Sequence, residues 1–218
     1  METDNKFDNR NLNEKIYFYL RTKIINNELK PGTRIDYNEF SMELGVSKTP
    51  LRDAFHRLQQ DGLVEVRSRS GTFVSIPQAK DIEEIFDVRK ALERQAIESA
   101  SKRIPKKKLK ELFENVEIAE KAINKGSFQT FFESDRLLHK TLVQYSANSR
   151  LIKIMESLEA QITWIGVIIA NTSERPRQAN ESHGKILTAL LNCDTKTAQD
   201  LMEQHIEEIK QMTLEDFL

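Results

Sequence analysis

Leu12, Ile16, Leu20 and Ile24 recur at every fourth position, an apolar stripe that predicts a first helix over about residues 12–26. Asn27 to Thr33 ends it, with Pro31-Gly32 as turn punctuation. A second short helix is predicted from Tyr37 to Leu44, and Gly45-Val46-Ser47 reads as a tight turn before a third from Lys48 to about Asp61. Two short helices about a three-residue turn suggest helix-turn-helix. Beyond Gly62 the period falls to two: Leu63-Val64-Glu65-Val66 and Thr72-Phe73-Val74-Ser75 read as strands joined by Arg67 to Gly71, a hairpin or wing. Ile76 to Lys80 is short, polar and proline-broken. From Asp81 onward only helical periodicity is found. It is interrupted at Ile104-Pro105, Lys125-Gly126-Ser127, Ala147-Asn148, Asn171 to Glu174 and Asn192 to Asp194, which leaves six helices. The expected fold class is mainly α: a winged helix-turn-helix domain over residues 1–76, a linker at 77–80 and an all-helical domain over 81–218.

Composition narrows this picture. Seven Gly and five Pro in 218 residues are about half the ~12% of average usage, which argues against a turn-dense sandwich or barrel. With 33 Lys and Arg against 34 Asp and Glu, no bulk charge draws the chain to a polyanion, so a nucleic acid would have to be met by a local patch. The one cysteine, Cys193, excludes an internal disulfide. The first fifteen residues lack the apolar core of a signal peptide and no run approaches a membrane span, so a cytoplasmic protein without a membrane partner is expected.

The third helix separates into two faces. At about 100° per residue, Leu51, Ala54, Phe55 and Leu58 share one arc, while Lys48, Thr49, Arg52, Asp53 and His56 share the other. Lys48, Thr49 and Arg52 lie in the first turns, the end of a recognition helix that meets base edges in a major groove. Ser47 is a suitable N-cap, and Pro50 in the first turn loses no helical hydrogen bond. Arg67 and Arg69 add two cations on the wing, beside Gly71, whose backbone can approach a partner closely.

Val46-Ser47-Lys48-Thr49-Pro50-Leu51-Arg52-Asp53-Ala54, continuing through Arg57-Leu58 to Asp61-Gly62-Leu63-Val64, resembles the winged-helix signature of the GntR family of bacterial transcription regulators. Pro31-Gly32 and Arg69-Ser70-Gly71-Thr72-Phe73-Val74 match as well, so the resemblance covers most of residues 10–76. Asp53 stands where the family usually has Glu, and Phe55-His56 where Leu and a basic residue are common. The resemblance implies that Arg52 contacts bases, that Lys48 is a lesser reader and that the wing enters the minor groove. His56 is either a phosphate or base neighbour or a passive member of that face.

In the second domain polar groups fall on predicted core faces. Asp135 lies in the arc of Phe128, Phe131, Leu138 and Leu142, with His139 one turn on; His183 lies between Ile186, Leu187 and Leu190; His205 lies among Leu201, Met202, Ile209 and Met212. Three imidazoles and a carboxylate are a common donor set for a divalent transition metal such as zinc or nickel, and Asp135 with His139 at i, i+4 can reach one ion together. The plainer alternative is three satisfied core histidines and a locally bridging aspartate. Arg89 sits centrally in the stripe of Ile82, Ile85, Leu92 and Ala96, and wants a carboxylate: either Glu93, one turn on, or an anionic ligand held bidentately.

These residues are similar to the FCD branch of the GntR family. Asp135-x-x-x-His139 matches its Asp-His metal pair, His183 in Glu181-Ser182-His183-x-x-Ile186 its third ligand, and His205 in Ala198-x-x-x-Met202-x-x-His205 its fourth. Arg89 with Leu92-Glu93 matches its first helix, and six helices resemble the shorter, VanR-like variant. The resemblance implies a homodimeric regulator, a repressor by expectation, that binds a palindromic operator and responds to a small carboxylate effector at or near the metal. From another class, a metal-dependent hydrolase or lyase could use open metal positions to activate water. Against it stand the missing His-Glu-x-x-His and the shortage of a core-facing general base other than Glu93. A helical interaction module is a third reading of Leu151 to Ala170, where the Ile165 to Ala170 run reads as core.

Overall fold

A computed structural model describes residues 8–169 and 174–215. By their contacts they fall into two compact units, residues 8–77 with 160–168, and residues 78–159 with 169 and 174–215. The predicted interruption at Asn171 to Glu174 lies outside the described residues except for Glu174, as does Ala170 at the end of the apolar run.

The first unit is built from α1 (Asp8–Ile25), β1 (Arg34–Ile35), α2 (Tyr37–Leu44), α3 (Lys48–Gln60), β2 (Val64–Arg67) and β3 (Gly71–Val74). The every-fourth stripe is buried as its spacing requires: Ile16, Leu20 and Ile24 pack with Leu51, Phe55, Leu58, Leu63 and Val74. Both ends of α2 are set chemically. The Asp36 carboxylate accepts from the Asn38 N–H at 2.7 Å and Gly45 turns the chain at φ 63, a left-handed conformation that costs glycine nothing. Ser47 precedes α3 in extended backbone but makes no side-chain cap hydrogen bond, so its expected cap is positional only. The sheet has order β1-β3-β2. Its antiparallel register sets Arg34 opposite Phe73 and Arg67 opposite Gly71. The expected hairpin of β2 and β3 is present, and β1 extends it to a three-stranded sheet.

A later part of the chain completes this core. The helix α7 (Ser149–Ile169) sends Ala160 and Trp164 into the cluster just described, with Trp164 only 2% exposed. Beside them Gln161 donates to the backbone carbonyl of Asp61 at 2.9 Å, just past the end of α3. The division drawn from sequence at 77–80 did not contain this segment.

The second unit is helical throughout its described residues: α4 (Ala79–Ala100), α5 (Lys106–Ile123), α6 (Gln129–Tyr145), the first part of α7, α8 (Glu174–Leu191) and α9 (Thr195–Glu215). Helix α4 opens inside the expected linker, and the Asp81 carboxylate accepts from the Gln78 N–H at 3.1 Å. On α5 the buried positions are Leu109, Leu112, Val116, Ala119 and Ile123, a continuous stripe at helical period. Helices α4 and α9 lie side by side, bridged at the surface by Lys90 with Glu207 at 2.5 Å and Arg94 with Asp200 at 2.8 Å. No described helix is long and apolar enough to cross a membrane.

Candidate metal centre and nucleic-acid interface

The stripes of α6, α8 and α9 carry their polar members to one place. Asp135 and His139 come from α6, His183 from α8 and His205 from α9, with one donor atom of each lying within 4.8 Å of all the others. His183 Nε2 is 3.2 Å from His205 Nε2 and 3.4 Å from Asp135 Oδ1. His139 Nε2 is 3.6 Å from the same carboxylate oxygen. The three histidines are buried, whereas the Asp135 side chain is 31% exposed and forms the wetter edge of the cluster.

Two observations test whether a metal fits. The buried His139 Nε2 has no hydrogen-bond partner although it points among the other donor atoms, and such an orphan costs free energy unless something accepts its lone pair. The second is electrostatic. Burial, reinforced by its histidine neighbours, pushes His205 well below the ordinary imidazole value. Burial likewise lowers His183, to about 4. Burial would raise Asp135, but its interaction with the neighbouring His139 outweighs it and holds the carboxyl below its usual range. A neutral imidazole pair beside an ionised carboxylate is the protonation state that metal ligation requires. The residues present fit a divalent transition ion.

Behind His139 lies a group not singled out as a site residue from the sequence. Glu93 is 1% exposed, accepts from Arg89 Nε at 2.6 Å through Oε1 and meets His139 Nδ1 through Oε2. Of the two partners weighed for Arg89, the structure thus makes the Glu93 pair. Burial would raise the Glu93 carboxyl, yet the charges of His139 and Arg89 overcome it and hold it low. His139 is correspondingly raised: burial lowers it, and the Glu93 charge prevails. The i, i+4 spacing of Arg89 and Glu93 was visible in the sequence; nothing there set Glu93 against a ring 46 residues away.

The first unit presents the opposite arrangement. Lys48, Thr49, Arg52 and His56 are all exposed on α3, while Leu51, Ala54, Phe55 and Leu58 are buried. Asp53 accepts from Asn13 Nδ2 at 3.2 Å. On the wing the two arginines differ. Arg67 folds back on its own hairpin, bound to Glu65 Oε1 through Nε at 3.0 Å and Nη2 at 2.6 Å and lying 4.5 Å over the Phe73 ring. Arg69 stands exposed at the turn with φ 62. Gly71 has φ 120, and a Cβ there would lie 3.4 Å from Arg34 Nε. Arg34 is thereby an exposed cation beside the wing, overlooked in the sequence because a two-residue strand has no periodicity to announce it.

An outward-facing cationic helix with a wing, joined in one chain to a helical unit with a cluster of one aspartate and three buried histidines, defines a winged-helix regulator with a second, helical domain. Residues 12–74 match the bacterial regulatory proteins of the gntR family, and residues 84–208 match the FCD domain. The chain belongs to the GntR family, in its FCD branch, and is a transcription regulator that binds operator DNA, not an enzyme. Among curated relatives it is 26% identical over 200 residues to the HTH-type transcriptional repressor RspR of Escherichia coli strain K12, spanning 92% of this chain and 88% of the relative. Among solved structures, E. coli McbR/YncC superposes with a TM-score of 0.80 at 22% identity, over 95% of this chain and 99% of that one. The Zn2+-bound FCD domain of TM0439 superposes with a TM-score of 0.56 at 21% identity, over 65% of this chain and 97% of that one.

Proposed function

We propose that this chain is a cytoplasmic, homodimeric repressor whose grip on a palindromic operator is modulated by a small carboxylate effector at a metal centre. Residues 1–76, with the α7 segment 160–168 completing their core, are the reading head, the chain around residue 77 is the link, and the rest of 81–218 is the sensing and dimerising part. Arg52 reads base edges, while Lys48, Thr49, Arg67, Arg69 and Gly71 place the head on the groove through phosphate and backbone approach. Asp135, His139, His183 and His205 hold the ion, zinc or nickel, and the effector meets both that ion and guanidinium donors of Arg89 other than the Nε taken by Glu93.

The observation that carries this reading is the convergence of three buried imidazoles and one carboxylate, with an orphaned His139 Nε2 among them. The zinc of the TM0439 domain supports the choice of metal, and the name of RspR supports the sign of regulation. An effector controls DNA affinity only if it binds one conformation of the protein more tightly; ~2.7 kcal/mol of difference is a hundredfold change.

Two measurements test the two halves. The wild-type protein should retain zinc or nickel through dialysis, and His139→Ala or His205→Ala should lose it; full metal content in both variants overturns the centre. In a mobility shift on operator DNA, Arg52→Ala should weaken specific binding by about 1 to 3 kcal/mol, and unchanged specific binding overturns the assignment of the reading helix.

A further inference from the structure

Glu93 has two oxygens with two different neighbours, and the difference constrains a proton. Oε1 accepts from Arg89 Nε at 2.6 Å, while Oε2 meets His139 Nδ1. An ionised carboxylate only accepts hydrogen bonds, so Nδ1 must be the donor. Metal binding requires the ring to give up its second proton, and the proton that stays on Nδ1 leaves a bare lone pair on Nε2, the atom that points toward Asp135 Oδ1 and has no hydrogen-bond partner. His183 lacks such support, since its own Nδ1 is buried without a partner.

We propose that Glu93 is a positioning residue of the metal centre: it fixes the ring and the tautomer of His139 so that Nε2 faces the ion, and Arg89 holds the carboxylate in place for that task. This rests on the reading of Asp135, His139, His183 and His205 as the metal ligands. Carboxylates behind ligating imidazoles commonly orient the ring and increase its basicity, and their loss costs tenfold to a hundredfold in metal affinity. A merely structural role would have Glu93 neutralise Arg89 and nothing more. The geometry says otherwise, because one of the two oxygens is turned away from Arg89 toward His139. Arg89 and Glu93 both lie on α4, so the first helix of the second unit is tied to a metal ligand on α6 through this one carboxylate.

The amide of glutamine separates the two roles. In Glu93→Gln, Arg89 Nε still requires an acceptor and takes the amide carbonyl. The amide NH2 then faces Nδ1, which favours the tautomer with its proton on Nε2, where it obstructs the ion. In Arg89→Met/Glu93→Gln that demand is gone, and the amide can turn its carbonyl to Nδ1. Arg89→Met/Glu93→Leu removes the same charges but offers Nδ1 no acceptor.

The test uses the full chain, Zn2+ alone as the probe in competition with a chromophoric chelator, and imidazole 15N spectra of the metal-free protein, at a pH where the His139 ring is neutral, to locate its proton. Zinc affinity of Glu93→Gln should fall by about tenfold to a hundredfold, with the His139 proton moved to Nε2. The Met/Gln protein should bind zinc about tenfold more tightly than the Met/Leu protein, a comparison that stands even if Glu93→Gln alone does not fold. Wild-type affinity in Glu93→Gln with the proton still on Nδ1, or equal affinity in the two double variants, overturns the proposal. His205→Ala shows which reading has failed. If it retains zinc as tightly as the wild type, the metal centre is wrong; if it loses zinc while the Glu93 variants keep theirs, only the role of Glu93 is wrong.

Discussion

Helices α3 and α6 are both amphipathic, yet they use polar residues in opposite ways. On α3 the apolar arc of Leu51, Ala54, Phe55 and Leu58 is buried and Lys48, Thr49, Arg52 and His56 face outward. On α6 the buried arc itself contains a polar ligand candidate, His139, among Phe131, Leu138 and Leu142. A surface that reads DNA needs solvated cations on a firm support, because phosphate and base edges arrive from outside. A centre that holds an ion needs donors taken out of water and aimed at one point, where the absence of competing hydrogen bonds leaves their lone pairs available. The two faces therefore differ in how they tolerate change. Altering an α3 surface cation leaves the core intact, whereas altering a buried member of the cluster affects packing and chemistry together.

The largest expected effect tests where the supporting core of the reading head ends. Trp164 sits with the α1 and α3 core residues despite lying some ninety residues beyond the wing in sequence. Trp164→Ala should destabilise the first unit by about 3 to 5 kcal/mol in chemical denaturation. Ile154→Ala on the same helix, at a side chain 45% exposed, should change stability by no more than about 0.5 kcal/mol. Equal effects would show that Trp164 is not part of that core.

A smaller effect distinguishes the two wing arginines. Arg67 is already engaged by Glu65 and Phe73, whereas Arg69 projects from the turn. Arg69→Ala should lower the salt slope of operator binding by about one, and Arg67→Ala should lower it by less. The reverse order would mean that Arg67 exchanges its intramolecular partners for phosphate on binding.

The smallest effect concerns the joint between α1 and α3. Tyr17 donates to Asp61 Oδ2 at 2.6 Å and lies under the Arg57 guanidinium. Burial, then the Asp61 hydrogen bond and charge, push its phenol from 10.0 to about 12. The folded chain thus keeps a proton that the unfolded chain releases above about pH 10. This contribution is fully present below that pH and falls away as pH rises toward the folded value, by up to about 1.4 kcal/mol per pH unit. Tyr17→Phe should cost about 1 kcal/mol at neutral pH and remove that part of the alkaline decline. An unaltered alkaline slope in the variant would assign the decline to other groups.

Much of this architecture was legible beforehand because it is local. Four apolar residues at every fourth position announced α1, and the change to period two after Gly62 announced the wing. The turns at Gly126, Ala147 and Cys193 fell where the helical pattern broke. The inward-facing Asp135, His139, His183 and His205 were legible for the same reason, as polar letters in apolar stripes. What escaped was non-local. Strand β1 exists through its pairing with Phe73 and Thr72, and two residues carry no alternation of their own. Of the run from Ile165 expected to be core, Ile165 is buried and Ile168 packs partly buried against the first unit's cluster, but periodicity says that a face is buried without saying against what. The Arg67 pairing with Glu65 was within reach, since residues two apart share one face of a strand.

By itself the sequence determined which faces of its helices are apolar, where the helices stop and which polar groups must turn inward, since each follows from spacing along a chain of known geometry. The tertiary structure decided which inward faces meet. It drew three helices together so that four donor atoms share one small volume. It set Glu93 of α4 behind His139, and it closed the core of the reading head with Trp164. Those outcomes depend on contacts between residues far apart in the chain, whose partners are chosen by packing of the whole rather than by local spacing.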